Sequence, residues 1–233
     1  MREIVPGVFI FLGRGYNCNG YLVTDDNSAL LIDSGLGDIG NNWGSNIGQQ
    51  QELEEIIKKY EFIDKICLTH AHLDHSGGIM SLKHNLREKV RILAHENESK
   101  HLENPDISYI DPLTKSGNIT SIKIDEKLKN GNKINLNNLV LEIWHTPGHT
   151  EGSVCLYEPE KKLLFSGDTI FPEGSFGRAD FPGSNSSDLV TSLESLTSLE
   201  VNILLAGHME PDNSINVNEN MMMSYKIAKN LFK

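Results

Sequence analysis

The segment Thr69-His70-Ala71-His72-Leu73-Asp74-His75-Ser76-Gly77-Gly78 follows directly on the apolar stretch Lys65-Ile66-Cys67-Leu68 and holds four ligand-type side chains in six positions. A strand over 65–69 therefore has to end in polar chemistry. Strand alternation sends His70 and His72 to the same side, and the turn that follows swings Asp74 and His75 toward a second position nearby. One short loop can thus feed two adjacent metal ions. A lone histidine is most often a satisfied polar group, but this cluster is a metal site in outline, because neutral imidazole suits zinc, iron and other first-row ions.

The 233 residues permit one large domain or two small ones. No apolar run approaches the ~20 residues a membrane helix needs, and Met1–Gly7 lacks the pattern of a secretory signal. Three cysteines, Cys18, Cys67 and Cys155, are odd in number and lack CxxC spacing, which points to a reduced, cytoplasmic protein. Cys67 and Cys155 lie in apolar runs and read as buried, inert thiols. The net charge of −11, with 32 acids against 21 bases and no basic stripe, disfavours a nucleic-acid partner and favours a small-molecule substrate.

Short strands are expected at 8–12, 20–24 and 29–33 as an antiparallel meander, with a turn at 25–27. Leu53, Ile56, Ile57 and Tyr60 recur at helical spacing and predict a helix over 49–60. After strand 65–69, a helix carrying Ile79, Met80, Leu82 and Leu86 starts from the Ser76-Gly77-Gly78 turn. Strand 90–94, a weak helix over 97–103 and a surface excursion over 104–117 follow. Residues 119–144 read as strands with a hairpin turn at Asn137-Asn138, then strands at 154–157 and 163–165, a helix over 186–198, a strand at 201–205 and a helix over 218–232. Strands interleaved with helices and no linker give one α/β domain over 1–233.

Three further chemistry-bearing residues stand where strands end: His149 in Pro147-Gly148-His149, Asp168 in Ser166-Gly167-Asp168 and His208 in Ala206-Gly207-His208. A glycine precedes each, which permits an unusual backbone angle and close approach to a site. Spacing alone does not divide these residues between two ions.

With the HxHxDH loop and the later GH, GD and GH motifs in place, the chain resembles the metallo-β-lactamase superfamily from its first strands to His208. The resemblance implies a four-layered αββα sandwich and two divalent metals, zinc first, with iron or manganese as alternatives. It further implies His70, His72 and His149 around one ion, Asp74, His75 and His208 around the other, and Asp168 bridging. Asp33, at the end of its strand, resembles the family's buried aspartate behind the metals. Pro147–Ser153 and Gly174–Gly183 look most like the glyoxalase II (hydroxyacylglutathione hydrolase) and persulfide dioxygenase branches. The chain ends at Lys233, short of the C-terminal helical region from which longer glyoxalase II enzymes contact glutathione, which leaves the thiol carrier open.

Gly35-Leu36-Gly37-Asp38-Ile39-Gly40 matches a dinucleotide fingerprint by letter, but residues 41–45 do not open the required helix, and the preceding strands read as antiparallel. His145 is parted from His149 by Pro147 and Gly148 and reads as structural, His84, His95 and His101 read as surface or packing residues, and Met221-Met222-Met223 reads as packing against the core. Arg178 either pairs with Asp180 or Glu173 or holds a substrate carboxylate bidentately.

The expected activity is hydrolysis of a small thioester by a metal-bound hydroxide that Asp74 orients. The rivals are a mononuclear-iron persulfide dioxygenase with His70 or His72, His149 and Asp168 as its facial triad, a lactonase, and a non-catalytic metal-binding protein of the same fold. Monomer and dimer are both compatible with the sequence.

Overall fold

Strand β1 (Arg2–Val5), which precedes the first strand expected from the sequence, opens an antiparallel meander with β2 (Val8–Phe11), β3 (Gly20–Thr24) and β4 (Ala29–Ile32). The computed structural model describes residues 1–25, 28–37, 47–59, 63–82, 88–115 and 119–232. The chain divides into two compact units, the first spanning Met1–Leu128 with Leu136–Leu139 and the second Lys129–Asn135 with Val140–Lys233.

In the first unit the meander continues into parallel pairing: β4 with β5 (Ile63–Cys67), β5 with β6 (Arg91–His95) and β6 with β7 (Glu126–Leu128). Helices α1 (Ile47–Lys59) and α2 (Leu73–Ser81) supply the connections that parallel strands require. The core of this sheet and its helices is aliphatic, with Leu22, Leu31, Ile66, Leu68, Ile92 and Leu102 all nearly inaccessible. Because β4, β5 and β6 run the same way, their carboxyl ends gather three loops at one edge, the usual place for a site in such sheets. Helix α3 (Glu96–Glu103) follows β6 at once, and the His95 side chain caps it by accepting from the Asn97 N–H.

Three local expectations need correction. Helix α2 does not start at the Ser76-Gly77-Gly78 turn; it starts at Leu73, directly after the extended His72, so Asp74 and His75 occupy its first turn. The glycines are packing devices instead. A Cβ at Gly77 would lie 2.4 Å from the Leu36 carbonyl oxygen, and the Gly78 N–H donates to the Gly35 carbonyl at 2.7 Å. The excursion after α3 contains a short helix, α4 (Ile107–Ile110), capped by Asp106. Residues 119–125 form no strand; the Ile122 N–H donates instead to the Leu102 carbonyl of α3 at 2.8 Å. The expectations at Tyr60, His84, Leu86, the turn at 26–27 and the Asp38–Gly40 part of the glycine-rich match fall outside the described residues.

In the second unit a five-stranded sheet runs in the order β12-β11-β10-β9-β8. Strands β8 (Lys133–Leu136) and β9 (Leu139–His145) flank the Asn137-Asn138 turn, β9, β10 (Val154–Glu158) and β11 (Leu163–Gly167) alternate antiparallel, and β12 (Ile203–Ala206) pairs parallel to β11. Helices α5 (Ser186–Leu196) and α6 (Val217–Leu231) cover it. On α6, Val217, Met221, Ser224, Tyr225 and Ala228 face inward at helical spacing, while Met223 is 41% exposed, so the methionine triplet is only partly core. No helix is long and apolar enough to cross a membrane among the described residues.

Candidate metal centre

In the first unit, β5 hands the chain to an extended turn over Leu68–His72, and α2 begins immediately after it. His70 and His75 are fully buried, His72 is nearly so, and the Asp74 side chain is 23% exposed. The turn brings His70 Nε2 and His72 Nδ1 to 3.1 Å, and the first helical turn brings His75 Nε2 and Asp74 Oδ2 to 3.5 Å. Two ligands held ~2.1 Å from one tetrahedral zinc lie about 3.4 Å apart, so both pairs have the spacing of groups that share an ion.

Asp33 stands behind this cluster. It has left β4 in a left-handed conformation, φ 58°, which aspartate tolerates better than most residues. One carboxylate oxygen accepts from the Thr69 N–H at 2.8 Å; the other accepts from the Thr69 hydroxyl and from His75 Nδ1, each at 2.8 Å. With Nδ1–H donating to a carboxylate, the His75 lone pair is fixed on Nε2, the nitrogen that faces Asp74.

Cys18, which the sequence does not mark as a site residue, joins these surroundings. Its Sγ lies within 4.8 Å of ligand-capable atoms of Asp33 and His75, and burial pushes the thiol up to about 12, with His75 acting in the opposite direction. No motif surrounds Cys18, so nothing in the sequence signals this contact. None of the three cysteines is in a disulfide, and all are buried.

In the second unit the three remaining ligand-type residues leave the same end of the sheet. Asp168 and His208 follow the parallel strands β11 and β12, and the Gly207 N–H donates to the Gly167 carbonyl at 2.8 Å. His149 leaves the β9–β10 turn, which the Thr146 hydroxyl ties to the Thr169 hydroxyl at 3.0 Å. Asp168 Oδ2 stands 3.7 Å from His149 Nε2 and 3.5 Å from His208 Nε2, too long for hydrogen bonds and close to the shared-ligand spacing. His149 Nδ1–H donates to the Arg178 carbonyl at 2.8 Å, so its lone pair also resides on Nε2.

Of the glycines expected to allow unusual angles before these ligands, Gly148 (φ 137°) and Gly167 (φ 48°) do so; Gly207 does not have a positive φ, and Met209 (φ 72°) takes the turn instead. Gly177 is required by space: a Cβ there would lie 1.8 Å from the Asp168 carbonyl oxygen and 3.2 Å from His149 Nδ1.

The Arg178 guanidinium is held bidentately by Asp180 at 2.9 and 2.7 Å and lies 4.3 Å over the Phe181 ring, with both charged groups more than half exposed. This hydrogen-bonded pairing holds the Asp180 carboxyl below the usual range. His145 Nε2 meets the Glu151 carbonyl oxygen at 3.0 Å, a turn-stabilising contact.

A family model described as "Metallo-beta-lactamase superfamily" matches residues 13–208. Among curated proteins, a hydroxyacylglutathione hydrolase, GloC, of Haemophilus influenzae is 32% identical over 202 residues, 82% of this chain and 84% of that protein. The acyl-coenzyme A thioesterase MBLAC2 of Homo sapiens is 28% identical, covering 85% of this chain and 75% of its own length. Two solved structures are each 27% identical over 88% of this chain and 93% of their own: the BLEG-1 B3 metallo-beta-lactamase, with a TM-score of 0.71, and TTHA1623 in a di-iron-bound form, with a TM-score of 0.68.

Proposed function

The chain belongs to the metallo-beta-lactamase superfamily and has its α/β fold, and from that premise we propose that it is a metal-dependent hydrolase of a small thioester, of the hydroxyacylglutathione hydrolase kind. The family pattern supports pooling the two ligand sets. On that pattern His70, His72 and His149 would hold one divalent ion, Asp74, His75 and His208 would hold a second, and Asp168 would serve both. The nitrogen and oxygen donors suit zinc first, with iron or manganese as alternatives. Two ions so held would supply a water that ionises near neutral pH and a Lewis acid for the thioester carbonyl.

The side chains do the rest. Asp33 and the Arg178 carbonyl each receive an Nδ1–H and keep Nε2 of His75 and His149 available as a ligand, and on this observation the proposal stands. Asp74, the most exposed of the four groups on its loop, is the carboxylate that orients the attacking water and accepts its proton. The Arg178 side chain exchanges Asp180 for the anionic end of the substrate. No side-chain nucleophile is needed, in keeping with thiols that burial holds protonated, Cys155 being pushed up to about 11.

The names of two relatives, a hydroxyacylglutathione hydrolase and an acyl-coenzyme A thioesterase, share the thioester bond and support that substrate class. The test is hydrolysis of S-lactoylglutathione and of a short acyl-coenzyme A by the wild-type protein and by His72→Ala and Asp168→Ala. Both variants are expected to lose at least about 100-fold in kcat/KM. Near-native turnover by either would refute the scheme.

A further inference from the structure

Ala71, between the first two histidines of the loop, is held at both of its backbone polar atoms, which belong to the two successive peptide units joining His70 to His72, by buried side chains that belong to no ligand set. Its N–H donates to Glu98 Oε2 at 2.7 Å, and its carbonyl accepts from the Ser76 hydroxyl at 3.0 Å. Glu98 and Ser76 are both 0% exposed. The second Glu98 oxygen accepts from the Tyr109 hydroxyl at 2.7 Å. Both carboxylate oxygens are therefore acceptors, from donors on two other segments of the unit.

We infer that Glu98 is a positioning residue for the metal centre, setting the His70-Ala71-His72 turn so that His70 Nε2 and His72 Nδ1 stay 3.1 Å apart. The inference rests on the reading of those histidines as metal ligands. A fully buried carboxylate is costly unless its oxygens are satisfied and a positive field lies nearby. Its two hydrogen bonds supply the first requirement. The second comes from its place in the first turn of α3, where the helix dipole favours an anion, and from the cation that His70 and His72 would hold. A merely structural acceptor needs no negative charge in a dry interior, since a glutamine carbonyl would take the Ala71 N–H equally well.

Two ligands joined through one intervening residue are sensitive to rotation of the two peptide units that flank it. Turning the His70–Ala71 peptide out of register shifts His70 relative to His72, so loss of Glu98 should loosen the metal before it unfolds the sheet. Such supporting contacts typically change metal affinity by ~10–100-fold.

The experiment measures zinc dissociation constants by competition with a chromophoric chelator, and the visible spectrum of the cobalt-substituted protein, for wild type, Glu98→Gln, Glu98→Ala and Tyr109→Phe. Glu98→Ala is expected to bind zinc ~10–100-fold more weakly with an altered cobalt spectrum, and Glu98→Gln to recover part of the loss. If Glu98→Ala does not fold, Glu98→Gln and Tyr109→Phe decide: zinc affinity weakened about threefold or more with a shifted cobalt spectrum supports the role. Folded variants whose affinity and spectrum match the wild type overturn it and leave the metal reading intact. A wild-type protein that takes up no zinc or cobalt overturns the metal reading, and this inference with it.

Discussion

His75 Nδ1 lies 2.8 Å from Asp33 Oδ2, with both side chains buried. A carboxylate in that position accepts the Nδ1 proton and fixes the tautomer that presents Nε2 to a metal. Asp33→Asn keeps the volume but turns one acceptor into a donor facing a donor. It is expected to weaken zinc binding by ~10–100-fold, read by chelator competition, with kcat falling alongside. An Asp33→Asn protein with wild-type metal affinity would show that the contact does not tune the histidine.

Arg178 acts twice, through its carbonyl on His149 and through its guanidinium. Only the second is lost in Arg178→Ala. KM for anionic thioesters is expected to rise by about tenfold, an ordinary value for one charged contact, while kcat stays within about twofold. Unchanged KM would remove Arg178 from substrate binding and leave the ion pair with Asp180 as its side chain's role.

Gly177→Ala puts a Cβ against the Asp168 carbonyl oxygen, whereas Gly131→Ala meets nothing within 4 Å and suffers only its left-handed backbone. The second should cost ~1–2 kcal/mol of stability and no activity. The first should cost activity as well, because the Asp168 turn must move. Thermal unfolding and kcat/KM measured on both variants check this; a fully active Gly177→Ala enzyme would contradict the packing constraint on that turn.

Cys155 is fully buried and its thiol is raised from 9.0 to about 11, chiefly by burial, with hydrogen bonds from Thr146 and Thr169 opposing. The unfolded chain ionises first, so this group's contribution is fully present below pH 9 and is lost as pH rises from 9 toward 11. The loss is on the order of 2–3 kcal/mol. Chemical denaturation of wild type and Cys155→Val at about pH 8 and about pH 10.5 measures it: the variant should show the smaller alkaline decline, and equal declines would place the sensitivity elsewhere.

Much of this molecule is legible in the sequence because its strands end in marked residues. The periodicities locate α1, α5 and α6 within about two residues, and the HxHxDH, GH, GD and GH motifs name the same seven side chains that stand at the two sheet edges. What escapes is non-local. The start of α2 is misread because Gly77 and Gly78 look like a turn, when their lack of side chains serves close packing on Ser34 and Leu36. Cys18 and Glu98 carry no motif; Cys18 lies against Asp33 and His75, and Glu98 reaches Ala71 from α3. Arg178 draws attention for its guanidinium, while its backbone carbonyl touches His149, a role no residue type announces.

Metal content per chain, measured by elemental analysis on protein purified without chelator and paired with S-lactoylglutathione hydrolysis before and after chelation, separates the dinuclear hydrolase from its rivals. Two divalent ions per chain are expected, with activity lost on chelation and restored by adding the metal back. A single iron per chain with oxygen uptake on glutathione persulfide, or hydrolysis that survives complete metal removal, would refute the dinuclear thioesterase.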